Sequence, residues 1–523
     1  MTKYLINRII RGIISIIIMV GIVMLLIYTL MDRMLIFAMD PSYSKKQNND
    51  KVIYRYQQWE KYGYLDYVTY QDYLLDLTNS GEIDEQTREA AVSLGKTPDY
   101  DGDTAKIYVE KFKEYYESKG YTVTRLNAKY GTTTRLPGGG TKYFASKDIN
   151  LFVRMWKYFT NIFFVDSIHY AQGDVGERGL SFTWYDPAYG GEKFSPAIMG
   201  NGTRNRYLVY FDDQFPYIHQ NIITVTLGKS YSVRPGVDVF NTMNDTQGKL
   251  VMGTVFYPSG LSEESADNLH TLQYAEGTLE GSGKFEKDRF VDDYTIRDTY
   301  KSGLSKMGYS FSIGILSVIL AYILGVPLGI LMARKKDKLI DKLGTIYIIF
   351  IIAVPSLAYI FMFKAIGGAM KLPTTFDVNE FRAAMYILPV ISLALPSVAN
   401  LMKWLRRFMI DQMNSDYVKF ARSGGLSERE IFNKHILKNA IIPLVHGIPG
   451  AILGSLVGAL ITESVYVVPG TGKMLTQAIY AYDNSVIVGV TLFYSLLSVI
   501  SIILGDVLIA TVDPRISFST KAR

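Results

Sequence analysis

The chain has 523 residues, of which 48% are hydrophobic and 20% charged, with a net charge of +6, five histidines and no cysteine. The lack of cysteine excludes disulfides, thiolate metal sites and cysteine nucleophiles, and no His-x-x-x-His pair occurs, so no metal site is expected. The basic residues crowd beside long apolar runs, which points to membrane topology and lipid contact, with no nucleic-acid partner.

Six apolar runs are long enough to cross a bilayer: about 13–31, 309–333, 340–363, 383–402, 441–462 and 486–511. The first follows Lys3, Arg8 and Arg11, and it leads into MDRMLIF (31–37), which offers no small-residue cleavage site. It therefore reads as an uncleaved anchor. Arg334, Lys335, Lys336 and Lys338 lie between the second and third runs, and Lys403, Arg406, Arg407, Lys419, Arg422, Arg429, Lys434 and Lys438 between the fourth and fifth. These positions alternate consistently for one side, so both termini are expected in the cytoplasm of a multi-pass plasma-membrane protein. Prolines 327, 355, 389, 396 and 449 interrupt the runs, as hinges or as kinks repacked by neighbouring helices.

The polar stretch 32–305 is expected to be an extracellular α+β domain. YVEKFKEYYESKG (108–120) predicts a helix with Tyr108, Phe112 and Tyr115 on one stripe, stopped by Gly120. YTVTRL (121–126), RYLVYF (206–211), KLVMGTVFY (249–257) and LHTLQY (269–274) predict strands, and LPGGGTKYF (136–144) a turn entering another. NLFVRMWKYFTNIFFV (150–165) predicts one apolar helix, too short to span and so interfacial or core. The many tyrosines suit either a binding face or the core of a compact domain; the core reading is preferred.

The segment between the fourth and fifth runs, 411–443, is the clearest functional candidate. Asp416 is expected to cap a short helix with Tyr417, Phe420 and Ala421 on one apolar stripe. Gly424 and Gly425 end it, because a tight C-terminal turn needs positive φ. After Leu426, Ser427 and Glu430 form an S-x-x-E capping box that starts a second helix, with Phe432, Ile436 and Ala440 on one face. Pro443 is expected to start the fifth span. A short amphipathic helix pair at the cytoplasmic surface buries its stripe in the interface, against its own chain, or in a partner's groove.

Other signals fail. GKS (228–230) is not a phosphate loop, because the pattern needs glycine where Ile223 stands, and GTGKM (470–474) lacks the following Ser or Thr. No G-x-S-x-G or H-E-x-x-H run occurs, which argues against a membrane protease. Asp506, within the sixth run, fits a substrate or gating path, or the inner end of the span bonded to a neighbouring helix. Glu463 fits the same path or a plain interfacial carboxylate.

The loop resembles the EAA loop of permease subunits from binding-protein-dependent ABC importers, of the dipeptide/oligopeptide branch. Ala421, Gly425 and Ile442-Pro443 match it, while Lys419 and Phe420 replace the usual Glu and first Ala. ITESVYVVPGTGKM (461–474), VDPRI (512–516) and LGKSYSVRPGVDVF (227–240) resemble further segments of that branch. The resemblance implies the type I ABC importer permease fold, a polytopic α-helical membrane protein with six transmembrane helices. It divides the chain into 1–31 (N-terminus and first helix), the extracellular domain 32–305, and 306–523 (helices two to six with the coupling loop 411–443). That domain is far larger than the family's usual connection and resembles the first oligopeptide permease subunit of streptococci and relatives, implying a Gram-positive host. By the same resemblance Tyr417, Phe420, Ala421, Arg422, Gly424, Gly425, Leu426, Ser427 and Glu430 couple the chain to ATPase subunits. The implied partners are a second homologous permease, two cytoplasmic ABC ATPases and an extracellular oligopeptide-binding lipoprotein. The chain itself binds no cofactor, since ATP and Mg sit on the ATPases, and it is not an enzyme. Dipeptide or nickel import remains open beside oligopeptide import, and a membrane-anchored receptor or adhesin is the alternative of another class.

Overall fold

A computed structural model describes residues 2–92, 103–126, 143–213, 217–380 and 382–512. VDPRI after Val512 and most of LPGGGTKYF lie outside the described residues. Contacts divide the chain into two units, Gly21–Asn161 with Ala481–Asn484, and the remainder. The stretch 32–305 thus contributes to both.

The smaller unit is built around aromatic side chains. Helices α1 (Thr2–Leu30), α2 (Asn48–Lys61), α3 (Tyr70–Asn79), α4 (Glu85–Val92), α5 (Asp103–Ser118) and α6 (Leu151–Thr160) supply its helical part, α1 from Gly21 onward. Strands β1 (Leu65–Thr69), β2 (Thr122–Arg125) and β3 (Tyr143–Asp148) form an antiparallel sheet in the order β1-β3-β2, with Tyr67 opposite Ser146 and Val123 opposite Ala145. Thr69 starts α3 through a reciprocal capping box with Asp72. Tyr70, Tyr73, Leu74, Val109, Phe112, Tyr116 and Tyr143 form one core. The buried stripe of α5 is therefore Val109, Phe112 and Tyr116, one position away from the expected Tyr108, Phe112 and Tyr115. Tyr115 instead lies exposed under the Lys119 ammonium, 3.7 Å from its ring.

In the larger unit, residues 162–305 are mainly antiparallel strands: β4 (Phe163–Val165), β5 (Gly179–Tyr185), β6 (Phe194–Asn201), β7 (Tyr207–Phe211), β8 (Ile218–Gln220), β9 (Ile223–Val225), β10 (Gly253–Phe256), β11 (Ser262–Ser265), β12 (Asp267–Tyr274) and β13 (Tyr294–Thr299). β5-β6-β7-β8 form a four-stranded sheet, and β4-β9, β10-β11 and β12-β13 pair in twos. The single helix expected over 150–165 is thus a ten-residue helix, α6, followed by a strand, because Phe163–Val165 pairs with Ile223–Val225 some sixty residues away. The inner face of the four-stranded sheet buries Ala197, Tyr207 and Tyr210. Beside them Nε2 of buried His270 lies 2.6 Å from Asp186 and Nδ1 lies 3.4 Å from Asp212, while the Tyr207, Tyr189 and Tyr300 hydroxyls donate to the same carboxylates. Of the tyrosines in 162–305, Tyr207, Tyr210, Tyr231, Tyr257, Tyr274 and Tyr294 are buried while Tyr170, Tyr185 and Tyr217 are exposed, so the core reading holds for part of them.

Four helices are long and apolar enough to cross a membrane, or up to six if each bent pair is one span. They are α1, α7 (Lys306–Arg334), the Ala383–Met413 segment containing α10 (Ile387–Met413), and α15 (Asn484–Val512). The first bent pair is α8 (Leu339–Ala353) with α9 (Ser356–Ala369), turned by 111° at Val354-Pro355; the second is α12 (Glu428–His446) with the first part of α13 (Ile448–Tyr466), turned by 44° at Gly447. The expected third and fifth runs are therefore broken rather than straight. Proline cannot extend the helix preceding it, and this accounts for the first break. α7 and α10 pack closely because Gly325 leaves no side chain between them: a Cβ there would stand 2.9 Å from Leu401 Cβ and 3.2 Å from the Val398 carbonyl. Asp341 of α8 receives Arg406 of α10 through both oxygens, at 2.5 and 2.7 Å.

Candidate coupling surface and membrane cavity

The segment after α10 forms a knuckle. α11 (Asp416–Ser423) begins after Ser415, which holds the cap position with extended backbone, so Asp416 is the first residue of the helix and not its cap. Its carboxyl, exposed, is held below the usual range by the hydrogen bond and charge of Lys419. Of the expected stripe only Ala421 is buried; its buried companion is Val418. Both belong to the same buried cluster as Ile431, Phe432 and Ile436 of α12 and Met409 of α10. Tyr417 turns outward, where it donates to Gln412 and accepts from Asn439. Phe420 is 80% exposed. Val418 and Tyr417 lie three and four residues before Ala421 and either spacing would serve; in the fold Val418 takes the inner face.

Gly425 supplies the turn at φ +82°, with no atom within 4 Å of where its Cβ would be. Across this turn the Arg422 guanidinium grips Glu428 with two bonds, at 2.6 and 3.1 Å, which holds Arg422 above its ordinary pKa. Ser427 and Glu430 form the expected capping box. Leu426, part exposed, sits between clamp and cap. Phe432, Ile436 and Ala440 are all buried, on the face expected of them. Residues Ile431–Leu437 wind as a π-helix, and Pro443 lies inside α12 instead of opening a span. The outer face of the knuckle is thus an aromatic knob beside a rigid, charge-clamped turn, which is the arrangement a groove on another protein can receive.

Farther along, α7, α8, α9, α10, α12 and α13 line a half-open cavity of about 940 Å³. No charged side chain lines it among the described residues; the polar groups are neutral, such as Tyr322, Ser397, Asn400 and Thr462. Thr462 is 1% exposed, and its Oγ1 has no hydrogen-bond partner among the described residues. Gly450 and Gly454 present open space to the cavity. This lining is not legible in the sequence, because its residues come from six helices spread over more than a hundred positions.

Glu463 does not line the cavity. Ser310 Oγ donates to Oε1 at 2.6 Å and the Lys473 amide to Oε2 at 2.9 Å. The carboxylate thus receives the N-terminus of α14 (Thr471–Tyr480), where a helix favours negative charge. Gly470 and Gly472 make room: a Cβ on Gly472 would stand 2.9 Å from Oε2, and one on Gly470 would overlap the carboxylate. Asp506 pairs α15 with α1, accepting from Tyr4 at 3.0 Å and lying 3.2 Å from Arg8. The structure brings the knuckle residues together and leaves Glu463 and Asp506 apart from them.

Comparison with known proteins gives a consistent picture. The family described as "Binding-protein-dependent transport system inner membrane component" matches residues 325–518. Over 533 aligned residues the chain is 33% identical to the oligopeptide transport system permease protein AmiC of Streptococcus pneumoniae, covering 100% of this chain and 99% of that protein. It is 31% identical over 229 residues to the dipeptide transport system permease protein DppB of Lactococcus lactis, covering 43% of this chain and 73% of that one. The similarity to AmiC includes the stretch 32–305; the similarity to DppB spans less than half of the chain.

Proposed function

The chain belongs to the permeases of binding-protein-dependent oligopeptide transport systems, and on that premise we propose that it is the membrane subunit through which an ATP-driven importer moves oligopeptides into the cell. ATP hydrolysis belongs to two separate cytoplasmic subunits, which hold ATP and Mg. A second, related permease completes the membrane part, and an extracellular lipoprotein delivers the peptide. α1, α7, α8 with α9, α10, α12 with α13, and α15 act as six spans of a type I permease. Lys3, Arg8 and Arg11 keep the N-terminus inside, which puts residues 32–305 outside and the knuckle in the cytoplasm. The streptococcal relative supports a Gram-positive host.

The observation that carries this reading is the 80% exposure of Phe420 on a helix whose opposite face is anchored in the core. In this reading Phe420 and Leu426 enter a groove of the ATPase, while Arg422, Gly424, Gly425, Ser427 and Glu430 keep the turn in shape and Tyr417 and Ala421 fix it to the spans. The uncharged cavity serves as part of the peptide path. Phe420→Ala and Phe420→Asp, assembled with the partner subunits in proteoliposomes, are expected to insert normally and to lose peptide-stimulated ATP hydrolysis and uptake. Wild-type rates in both variants would sink the proposal.

A further inference from the structure

We propose that α6 lies within the bilayer beside α1, with its apolar outer face in lipid. The inference rests on reading α1 as a membrane span, since it is the packing of α6 against α1 that sets its depth.

The span Tyr4–Leu30 has 27 residues, and its middle falls near Ile17. At 1.5 Å per residue, Gly21 stands about 6 Å beyond the middle and Tyr28 about 16 Å beyond it, against a hydrocarbon half-thickness of about 15 Å. α6 touches both levels. A Cβ built on Gly21 would meet Met155 Cε at 3.1 Å, so the glycine is where Met155 seats. In the other direction the Arg154 guanidinium lies 3.7 Å over the Tyr28 ring and 3.8 Å over the Tyr64 ring, and it donates to the Tyr62 carbonyl at 3.0 Å. Neighbouring side chains of α6 thus reach opposite ways: the thioether into the hydrocarbon level and the cation up to the aromatic boundary, as a charged side chain at a membrane edge does.

The exposed face is led by large apolar side chains, with Thr160 among them and Lys157 at its flank, where its stem can carry the ammonium toward the membrane edge. Phe152 and Trp156 are each 72% exposed, with Val153 beside them. None of the ten residues of α6 is buried. The patch is continuous in depth with Ile22, Leu25 and Leu26 of α1, which are also exposed. One backbone donor at each end of the helix is accounted for: Asn150 Oδ1 accepts from the Phe152 amide at 2.9 Å, and the Asn161 amide donates to the Lys157 carbonyl at 3.1 Å. At this depth the occupant that fits an apolar, aromatic face is the acyl-chain region. α6 is then a membrane attachment of the smaller unit additional to α1.

The chain lacks cysteine, so single spin labels need no background substitution. Labels at Phe152→Cys and Trp156→Cys are compared with Ile22→Cys on α1 and Glu110→Cys on exposed α5, in the full assembly reconstituted in phosphatidylcholine bilayers. Collisional access to oxygen and to a water-soluble nickel chelate is read for each. The expected result is that 152 and 156 match 22, with oxygen access dominating, while 110 shows the reverse. Nickel access at 152 and 156 with 22 still lipid-like places the face in water and overturns the proposal. Exclusion of both reagents there means another protein covers the face and overturns it equally. Nickel access at 22 overturns the reading of α1 itself, a separate failure.

Discussion

Replacing Gly425 isolates what the left-handed turn of the knuckle contributes. Its φ of +82° is disfavoured for any residue with a Cβ, yet no atom lies within 4 Å of where that Cβ would be. Alanine therefore meets only the backbone penalty, about 1–2 kcal/mol. The Arg422–Glu428 clamp cannot offset this, because both partners are exposed and such a pair is worth about 0.2–1 kcal/mol. At tenfold per 1.4 kcal/mol, the turned form should lose population by roughly 5- to 30-fold against its alternatives. A partner that binds only the turned form sees its apparent affinity fall by up to that factor, the full factor applying once the turned form is the minor one. Asparagine visits the left-handed region more readily, so Gly425→Asn should lose much less than Gly425→Ala. The assay is peptide-stimulated ATP hydrolysis in proteoliposomes, titrated with the ATPase subunits. Gly425→Ala is expected to shift the titration to higher concentration, and Gly425→Asn to stay near wild type. Equal losses in the two variants, or a silent Gly425→Ala, would refute the reasoning.

Other outcomes follow from sites described above. Gly454→Leu fills open cavity space, so the protein should fold and hydrolyse ATP while peptide uptake falls; undiminished uptake would remove the cavity from the path. Glu463→Ala deletes the acceptor of two charge-assisted hydrogen bonds, each worth about 1.5–3 kcal/mol, and should lower the thermal midpoint clearly, as should Gly472→Ala; unchanged midpoints would contradict the capping role. Burial lowers the His270 pKa, but bonds and charges from Asp186 and Asp212 outweigh burial and leave it raised. A folded pKa above the unfolded value of about 6.5 gives stabilisation that is complete below that pH and fades as pH climbs through the raised value. The thermal midpoint should therefore fall on going from pH 6 to pH 8.5, less so in His270→Gln; a midpoint that rises over that interval would falsify the assignment.

Local signals in the sequence located what is local in the fold. The Ser427–Glu430 box, the Gly425 turn and the inward face of Phe432, Ile436 and Ala440 were all legible, because each depends on residues within one or two helical turns. The identity of the outward face was not. Tyr417 and Phe420 fit an apolar stripe as well as Val418 does, and only the packing of α10 and α12 decides between them. Phe163–Val165 reads as a continuation of an apolar helix, since its partner strand lies some sixty residues on. The run from Glu463 to Lys473 was recognisable as a motif, but Ser310, which completes its hydrogen bonding, is 153 positions away. The break at Val354-Pro355 follows from a proline rule, whereas its 111° turn depends on neighbours.

From Glu428 to Tyr466 the chain is helical on both sides of Gly447, a length of more than roughly 50 Å at helical rise. Such an element behaves as a bell crank. One arm begins at the knuckle, the elbow at Gly447 borders the cavity, and the other arm ends on the carboxylate that grips α14. A load on the first arm must appear as rotation of the second, because a hydrogen-bonded helix resists compression along its axis. The ratio of input to output is then set by the position of the elbow, and the π-wound turns at Ile431–Leu437 are the compliant stretch where stroke is gained or lost.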